Sequence, residues 1–291
     1  MDKTQHYIRQ IHFTYPELAI DSACINRDGQ YNDVLVVNDE LIFRFAKVPD
    51  AIATMQNEVA LLRYLQDCIS LPIPHPTYVN IEGAAIGEAF MGYPMIPGIP
   101  LWRPNFRKIT KETVRKHMAE QLAEFLKELH STPLNELPVT FEPEETLNHW
   151  IDMYAQIQAK LFPAMRPDAR KAVTIHFEDF FANKELSNFV PRLCHGDFGT
   201  GNLLFDFETQ SIAGVIDFGG AGVGDPAGDF AGLYISFGEE FYRHCYSVYP
   251  EMEPALERVK FFCGTFALQE ALFGFDNKDE VAYRAGMEQY V

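Results

Sequence analysis

Apolar and polar positions in the first part of the chain predict short strands with one helix between them. β-Branched and aromatic residues fill two consecutive runs, DVLVVND (33–39) and ELIFRFAK (40–47). Asn38-Asp39 between these runs favours a turn, so we expect a β-hairpin. Across residues 51–67 the apolar positions instead recur at helical spacing, which predicts an amphipathic helix.

The remainder of the chain reads mainly as helices. An apolar strand within 89–102 runs into a segment rich in proline and glycine, and a helical pattern follows over 113–131. Further helical patterns cover 147–161, 168–183 and 253–272. We therefore predict an α+β fold with a hinge near Pro94–Pro100. A small β-rich lobe (1–96) would precede a larger helical lobe (97–291).

A second predicted hairpin carries candidate chemistry. The segment RLCHGDFGTGNLLFD (192–206) contains Asp197 and Asn202, and the later run SIAGVIDFGG (211–220) contains Asp217. Because hairpin arms run antiparallel, we expect Asn202 and Asp217 to fold toward each other. Phosphoryl transfer needs a carboxylate that accepts the proton of an attacking hydroxyl, and oxygen ligands that hold Mg²⁺. The pattern therefore favours a phosphotransferase.

Cysteine usage and apolar run lengths bear on the compartment. The five cysteines are scattered without a C-x-x-C pair, which is typical of free thiols in a reducing compartment rather than of disulfides or a zinc site. The N-terminal residues have no apolar run of signal-peptide length, and no stretch approaches the roughly 18–20 apolar residues of a membrane span. We expect a cytoplasmic protein that does not bind membranes.

The net charge of −17 narrows the range of partners. Such a surface repels nucleic acid, whose binding proteins usually carry a basic stripe. It would attract a cationic small molecule and raise its local concentration. Solubility alone also explains an acidic surface, so both interpretations stay open.

The motifs H-G-D-x-x-x-x-N and I-D-F-G resemble the catalytic and metal loops of the aminoglycoside phosphotransferase family, which has a protein-kinase-like fold. The segment GDPAGDFAGLY (224–234) is similar to the part of that family that follows the metal loop, and the overall layout is nearest to its 2″-phosphotransferase branch. The resemblance implies a bilobal, Mg²⁺-dependent enzyme that acts as a monomer. It would transfer the γ-phosphoryl group of ATP or GTP to an aminoglycoside hydroxyl and so confer antibiotic resistance.

The resemblance also implies roles for individual residues. Asp197 would be the catalytic base, Asn202 and Asp217 would be magnesium ligands, and His195 would have a structural role in the loop. Glu58 would pair with the cation that binds the phosphates. Arg44 stands where that family commonly has lysine, and Lys47 is the alternative, although strand alternation directs it to the opposite face.

The nucleotide-binding residues carry weaker sequence signals. Gly29 is the only glycine where a phosphate-covering loop would usually contain several. We expect the hinge backbone to contact the base, at Tyr93, Pro94, Met95 and Ile96. The bulk of Tyr93 favours guanine over adenine.

The acceptor is the most open part of the prediction. A polycationic substrate needs carboxylates, and the downstream candidates are Asp225, Asp229, Glu239, Glu240 and Glu270. The segment FGEEF (237–241) is also similar to macrolide phosphotransferases, so a macrolide, choline-like or sugar kinase is the alternative. A non-catalytic nucleotide-binding pseudokinase is a third possibility, although the chain has all three of Asp197, Asn202 and Asp217.

Overall fold

The computed structural model describes residues 2–26, 31–141, 147–184, 186 and 189–291. Their strands are β1 (Ala23–Asn26), β2 (Asn32–Val37), β3 (Leu41–Ala46), β4 (Tyr78–Asn80), β5 (Phe90–Pro94), β6 (Ile99–Pro100), β7 (Arg192–Cys194), β8 (Leu203–Asp206), β9 (Ser211–Val215) and β10 (Gly222–Gly224). Their helices are α1 (Lys3–Thr14), α2 (Pro49–Leu65), α3 (Arg103–Phe106), α4 (Glu112–His130), α5 (Leu147–Lys160), α6 (Pro167–Ala182), α7 (Ala227–Phe237), α8 (Glu239–His244), α9 (Leu256–Asn277) and α10 (Glu280–Met287). Within these ranges, no helix combines the length and the apolar character needed to cross a bilayer.

The predicted N-terminal hairpin is confirmed and forms the centre of an antiparallel sheet. Strand order in this sheet is β1-β2-β3-β5-β4, and Val37 is opposite Leu41 where β2 turns into β3. Asn38 and Asp39 both have positive φ, 53° and 54°. This left-handed pair is typical of the tight turns that match the twist of a hairpin. The polar turn that the sequence indicated is therefore the turn that sets the register.

Helix α1 covers this sheet and was not predicted from the sequence. Tyr7 of α1 stacks on Phe45 of β3 with ring centroids 3.9 Å apart, and its hydroxyl donates to Asp33 at 2.7 Å. The core beneath the helix is made of buried apolar side chains: Tyr7, Ile11, Leu35, Val37, Phe43, Phe45 and Phe90. Only two residues of α1, Tyr7 and Ile11, are fully buried, so few of its positions give an apolar signal in the sequence.

The chain forms two compact units. The first unit contains residues 1–114, 132–140 and 200–221, and the second contains 115–131, 141–199 and 222–291. This division differs from the boundary predicted at residue 96. The reason is that β6 pairs with β8, which joins the segment after the hinge to the β8–β9 hairpin within the first unit.

Helices dominate the second unit, where β7 and β10 form a short antiparallel pair. The predicted helices are confirmed, with boundaries shifted by a few residues. The largest shift is in α9, which begins at Leu256, after Pro254, and ends before Lys278, a residue with φ of 57°. An aromatic core joins α5, α6 and α9, where Trp150 contacts Phe261 and Phe262 edge to face and Phe261 stacks on Phe180 at 3.6 Å.

Candidate active site

A buried arginine in the first unit holds two carboxylates at once. Arg44 projects from β3, and its Nη1 donates to Glu58 Oε1 of α2 at 2.6 Å. Its Nη2 donates to Asp217 Oδ1 at 3.0 Å. Glu58 Oε1 also accepts the backbone N–H of Phe218 at 3.2 Å. One side chain of α2 therefore fixes both the guanidinium and the backbone next to Asp217.

Lys47 lies on the opposite face of the sheet, as strand alternation predicted. Its Nζ is 3.5 Å from Asp33 Oδ1, while Asp33 also accepts the hydroxyl of Tyr7. Lys3 is a further ion-pair partner of this buried carboxylate. Lys47 thus belongs to the contact between α1 and the sheet, and Arg44 is the cation next to the second hairpin.

The charge of Arg44 is well compensated. Burial opposes the charged form of this residue, which is 8% exposed, but the Glu58 and Asp217 carboxylates raise the pKa of its guanidinium above the usual value. Removing one partner of a buried ion pair typically costs about 3–5 kcal/mol, because the remaining charge is left buried. Arg44 and Glu58 are therefore expected to depend on each other.

Tyr93 belongs to this group as well. Ile42 is opposite Tyr93 and Arg44 is opposite Met91, so Tyr93 is a diagonal neighbour of Arg44 on one sheet face. Burial raises the pKa of Tyr93 to about 12, with the nearby Arg44 acting in the opposite direction. Its phenol is therefore neutral at physiological pH.

The predicted hinge contacts need one correction. The Met95 N–H donates to the carbonyl of Glu40 at 2.7 Å, because β5 continues its pairing with the β2–β3 turn for one more residue. It is therefore not available to a nucleotide base, and Pro94 has no N–H to offer. In the described part of the chain, the Ile96 N–H has no hydrogen-bond partner, so it is the remaining hinge donor among the predicted residues. Gly29 lies outside the described residues.

Asn202 and Asp217 meet at one end of the β8–β9 hairpin, as predicted. The Ile216 N–H donates to the carbonyl of Asn202 at 2.9 Å, which places Asp217 one residue beyond the last paired position. Asp217 has a φ of 65°, and its side chain is 48% exposed. Its Oδ2 has no hydrogen-bond partner among the described residues. A carboxylate and an amide oxygen at this end form a donor set that suits Mg²⁺.

In the second unit, Asp229 of α7 holds the loop that contains Asp197. The buried Asp229 carboxylate accepts the backbone N–H of His195 at 2.8 Å and that of Gly196 at 3.0 Å. It also contacts His130 Nε2 of α4 at 2.9 Å. His195 Nδ1 accepts the Asp197 N–H at 3.3 Å, which fits the structural role predicted for this histidine.

These hydrogen bonds determine the charge state of Asp229. Burial alone would raise its pKa, but hydrogen bonding to His130 and to the loop backbone holds the pKa below its usual value. His130, Cys194 and Asp229 also bring possible metal-ligand atoms within 4.8 Å of one another. Because Asp229 already makes three hydrogen bonds, we interpret this group as a hydrogen-bond network rather than a metal site. The sequence indicated Asp229 only as one of several candidate substrate carboxylates, because the partners that it holds here are distant along the chain.

Asp225, a second predicted substrate carboxylate, also makes structural contacts. Asp225 is buried, its Oδ2 accepts Arg258 Nε at 2.8 Å, and its Oδ1 accepts the N–H of Ala227 at 2.9 Å. These two contacts anchor the start of α7, so the structure gives Asp225 a structural role. The other three candidates, Glu239, Glu240 and Glu270, are exposed, and Glu239 forms an ion pair with Arg243.

A β-rich unit with an ion-paired strand cation, together with a loop that contains an anchored H-G-D sequence, defines a protein-kinase-like phosphotransferase. The chain belongs to the phosphotransferase enzyme family (APH), whose model matches residues 23–262. This finding confirms the predicted family, the α+β fold and the enzyme class.

Individual relatives agree with this assignment. The viomycin phosphotransferase of Streptomyces vinaceus is 28% identical over 269 residues, which are 90% of this chain and 91% of that protein. The structure of APH(2")-IIia in complex with GDP and kanamycin aligns with a TM-score of 0.88 at 25% identity, over 98% of this chain and 96% of that one. The macrolide 2'-phosphotransferase MphH from Brachybacterium faecium aligns with a TM-score of 0.75 at 18% identity, over 95% and 97% of the two chains, and so shares the fold.

Proposed function

We propose that this enzyme transfers the γ-phosphoryl group of a purine nucleoside triphosphate to a hydroxyl of a cationic antibiotic of the aminoglycoside or viomycin type. The observation that carries the proposal is the Arg44–Glu58–Asp217 arrangement, in which a strand cation is held beside a proposed metal ligand. Similarity to a viomycin phosphotransferase and to a kanamycin-binding relative supports the acceptor class. The acidic surface supports it as well, because it favours cationic ligands.

In the proposed reaction, Asp197 accepts the proton of the attacking hydroxyl. Asn202 and Asp217 hold Mg²⁺, which when bound neutralises charge on the phosphate oxygens. Arg44 provides a guanidinium that can donate to phosphate oxygens, and Glu58 fixes the position of Arg44. Asp229 holds the backbone on which Asp197 is carried. Catalysis then depends on positioning and electrostatics rather than on a covalent intermediate.

For the donor, we propose a preference for GTP over ATP. Tyr93 is a bulky, neutral residue at the end of β5, and Ile96 offers the one hinge N–H described above. GDP complexes of relatives with this fold are consistent with guanine binding. For the setting, we propose a cytoplasmic monomer, which the five free cysteines support.

A macrolide or another weakly charged hydroxylated compound is the second candidate acceptor. The ion pair between Glu239 and Arg243 favours it, because this pair reduces the negative charge in the segment expected to face a polycation. For either acceptor, the exposed carboxylates that we propose to contact it are Glu239, Glu240 and Glu270.

A coupled assay of nucleoside diphosphate release tests the proposal. The purified protein with Mg²⁺ is given kanamycin, viomycin, a macrolide or choline, each with ATP and with GTP. We expect turnover with kanamycin or viomycin and a lower KM for GTP. Turnover confined to the macrolide or to choline would overturn the acceptor class. No turnover with any compound would contradict the function and favour a nucleotide-binding protein.

A further inference from the structure

Trp102 is an exposed aromatic residue beside the loop that leads to Asn202. It is 58% exposed, whereas the other tryptophan, Trp150, is 3% exposed and lies in the aromatic core of the second unit. Its indole Nε1 is next to Gly201, where an added Cβ would be 3.3 Å from that nitrogen. Trp102 is therefore next to the residue that precedes Asn202, a proposed magnesium ligand.

The backbone around Trp102 is held firmly. The preceding residue, Leu101, is fully buried and donates its N–H to the carbonyl of Leu203 at 3.0 Å. The Trp102 carbonyl accepts the N–H groups of Asn105 and Phe106 at 2.7 and 3.0 Å, while Asn105 Nδ2 donates to Pro100. Because the backbone is already fixed, less conformational freedom is lost when the side chain binds a ligand, which favours affinity.

The free groups of Trp102 indicate what it could bind. Its indole N–H has no acceptor in the part of the chain that the structure describes, so it can donate to a ligand oxygen. Its exposed ring offers an apolar surface for packing. Arg103 and Arg107, both exposed, follow immediately and would repel an ammonium group. A neutral, hydroxylated ring satisfies these features better than a cation does.

We propose that Trp102 binds a sugar ring, with the ring packed on the indole and a ring oxygen or hydroxyl accepting its N–H. This inference rests on the proposed function, which supplies two sources of such a ring: the uncharged ribose of the nucleotide, and a sugar of an aminoglycoside whose ammonium groups point away from Arg103 and Arg107. Trp102 would then be a substrate-binding residue that lies outside the H-G-D-x-x-x-x-N and I-D-F-G motifs.

Steady-state kinetics identify the source of the ring. Trp102→Ala should raise the KM of one substrate by about tenfold and leave the KM of the other within about twofold. The reason is that the truncation removes a binding contact to either the nucleotide or the acceptor, but not to both. Trp102→Phe, which keeps the ring but loses the N–H, should have an intermediate effect. Phe13→Ala is the matched control, since Phe13 of α1 is 88% exposed in the same unit. A raised nucleotide KM indicates ribose, and a raised kanamycin KM indicates the acceptor.

Fluorescence quenching by acrylamide gives a readout that does not need turnover. The tryptophan fluorescence that is lost in Trp102→Phe comes from Trp102. The other tryptophan, Trp150, is buried and is therefore poorly accessible to acrylamide. GDP with Mg²⁺, or kanamycin, should reduce the quenching constant of that signal by about twofold or more, because a bound ring shields the indole. If neither probe changes it, the proposal is overturned, whatever the assay of phosphate transfer shows. If quenching falls while turnover is absent, the sugar site stands and the proposed reaction fails.

Discussion

Arg44 differs from a lysine at the same position because its guanidinium has separate nitrogen atoms for separate partners. Nη1 serves Glu58 and Nη2 serves Asp217, at 2.6 and 3.0 Å. A lysine has a single Nζ, which acts as a point charge and cannot reproduce this fork. Arg44 therefore connects β3 to the β8–β9 hairpin by a forked contact that a lysine could not make.

The first prediction concerns this residue. Arg44→Lys should raise the nucleotide KM by about tenfold, because the shorter point charge reaches fewer oxygens and leaves one carboxylate without its partner. Initial rates over a range of GTP and ATP concentrations measure the effect. The control is Lys47→Gln on the opposite sheet face, which should leave the nucleotide KM unchanged. A larger effect at Lys47 than at Arg44 would reverse the assignment of the phosphate cation.

Residues near one another along the chain were predicted better than residues joined only by the fold. The pairing of Asn202 with Asp217 followed from one local hairpin, and alternation along β3 separated Arg44 from Lys47. The role of Asp229 could not be predicted, because its contact with His130 spans 99 positions and leaves no local pattern. For the same reason the sequence did not indicate the ion pair between Asp225 and Arg258, which are 33 positions apart.

At the scale of elements, two helices enclose the loop that carries Asp197. Phe198 is buried and stacks on Phe125 of α4, with ring centroids 5.4 Å apart. On α7, Gly232 lies so close that an added Cβ would be 2.2 Å from the Phe198 carbonyl oxygen. The absence of a side chain at Gly232 is what lets α7 approach the loop.

The second prediction follows from this close approach. Gly232→Ala should displace the Phe198 backbone and lower kcat by about 10–100-fold, because small misplacements of a catalytic group are costly. Gly222→Ala is the control, since nothing lies within 4 Å of a Cβ at that position. Kinetics and thermal unfolding of both variants test the idea. Wild-type kcat in Gly232→Ala would show that the loop does not depend on α7 for its position.

Elements also differed in how well the sequence predicted them. The β2–β3 and β8–β9 hairpins have local turns between apolar runs, and both were predicted. Helix α1 has few buried positions, and the two-residue strand β6 is defined by its pairing with β8 more than 100 positions later. Few fully buried positions in α1 and only two residues in β6 leave little apolar pattern along the chain, so neither element was predicted.

For the whole molecule, the net charge of −17 should affect the rate at which a polycationic substrate associates with the protein. Long-range attraction raises association rates, and salt screens it over a Debye length of about 8–10 Å at physiological ionic strength. Exposed acidic residues such as Glu240 and Glu270 contribute to this field together with the rest of the surface.

The third prediction tests this field. Raising NaCl from about 25 to about 300 mM should lower kcat/KM for kanamycin by several-fold, because screening weakens the attraction of a polycation. The kcat at saturating kanamycin should change little, and a macrolide, if turned over, should be less sensitive. Equal salt dependence for all acceptors would show that the surface charge serves solubility alone.

The proposed role of Asp197 as the catalytic base is tested by comparing the wild type with Asp197→Asn in two assays. One measures phosphate transfer from GTP to kanamycin or viomycin at saturating Mg²⁺, and the other measures the Kd for GDP. We expect Asp197→Asn to lose about 100-fold or more in kcat, within the range typical of general-base removal, with a GDP Kd within about twofold of wild type. Transfer by Asp197→Asn at a rate near that of the wild type would show that another group accepts the proton and that Asp197 is not the catalytic base.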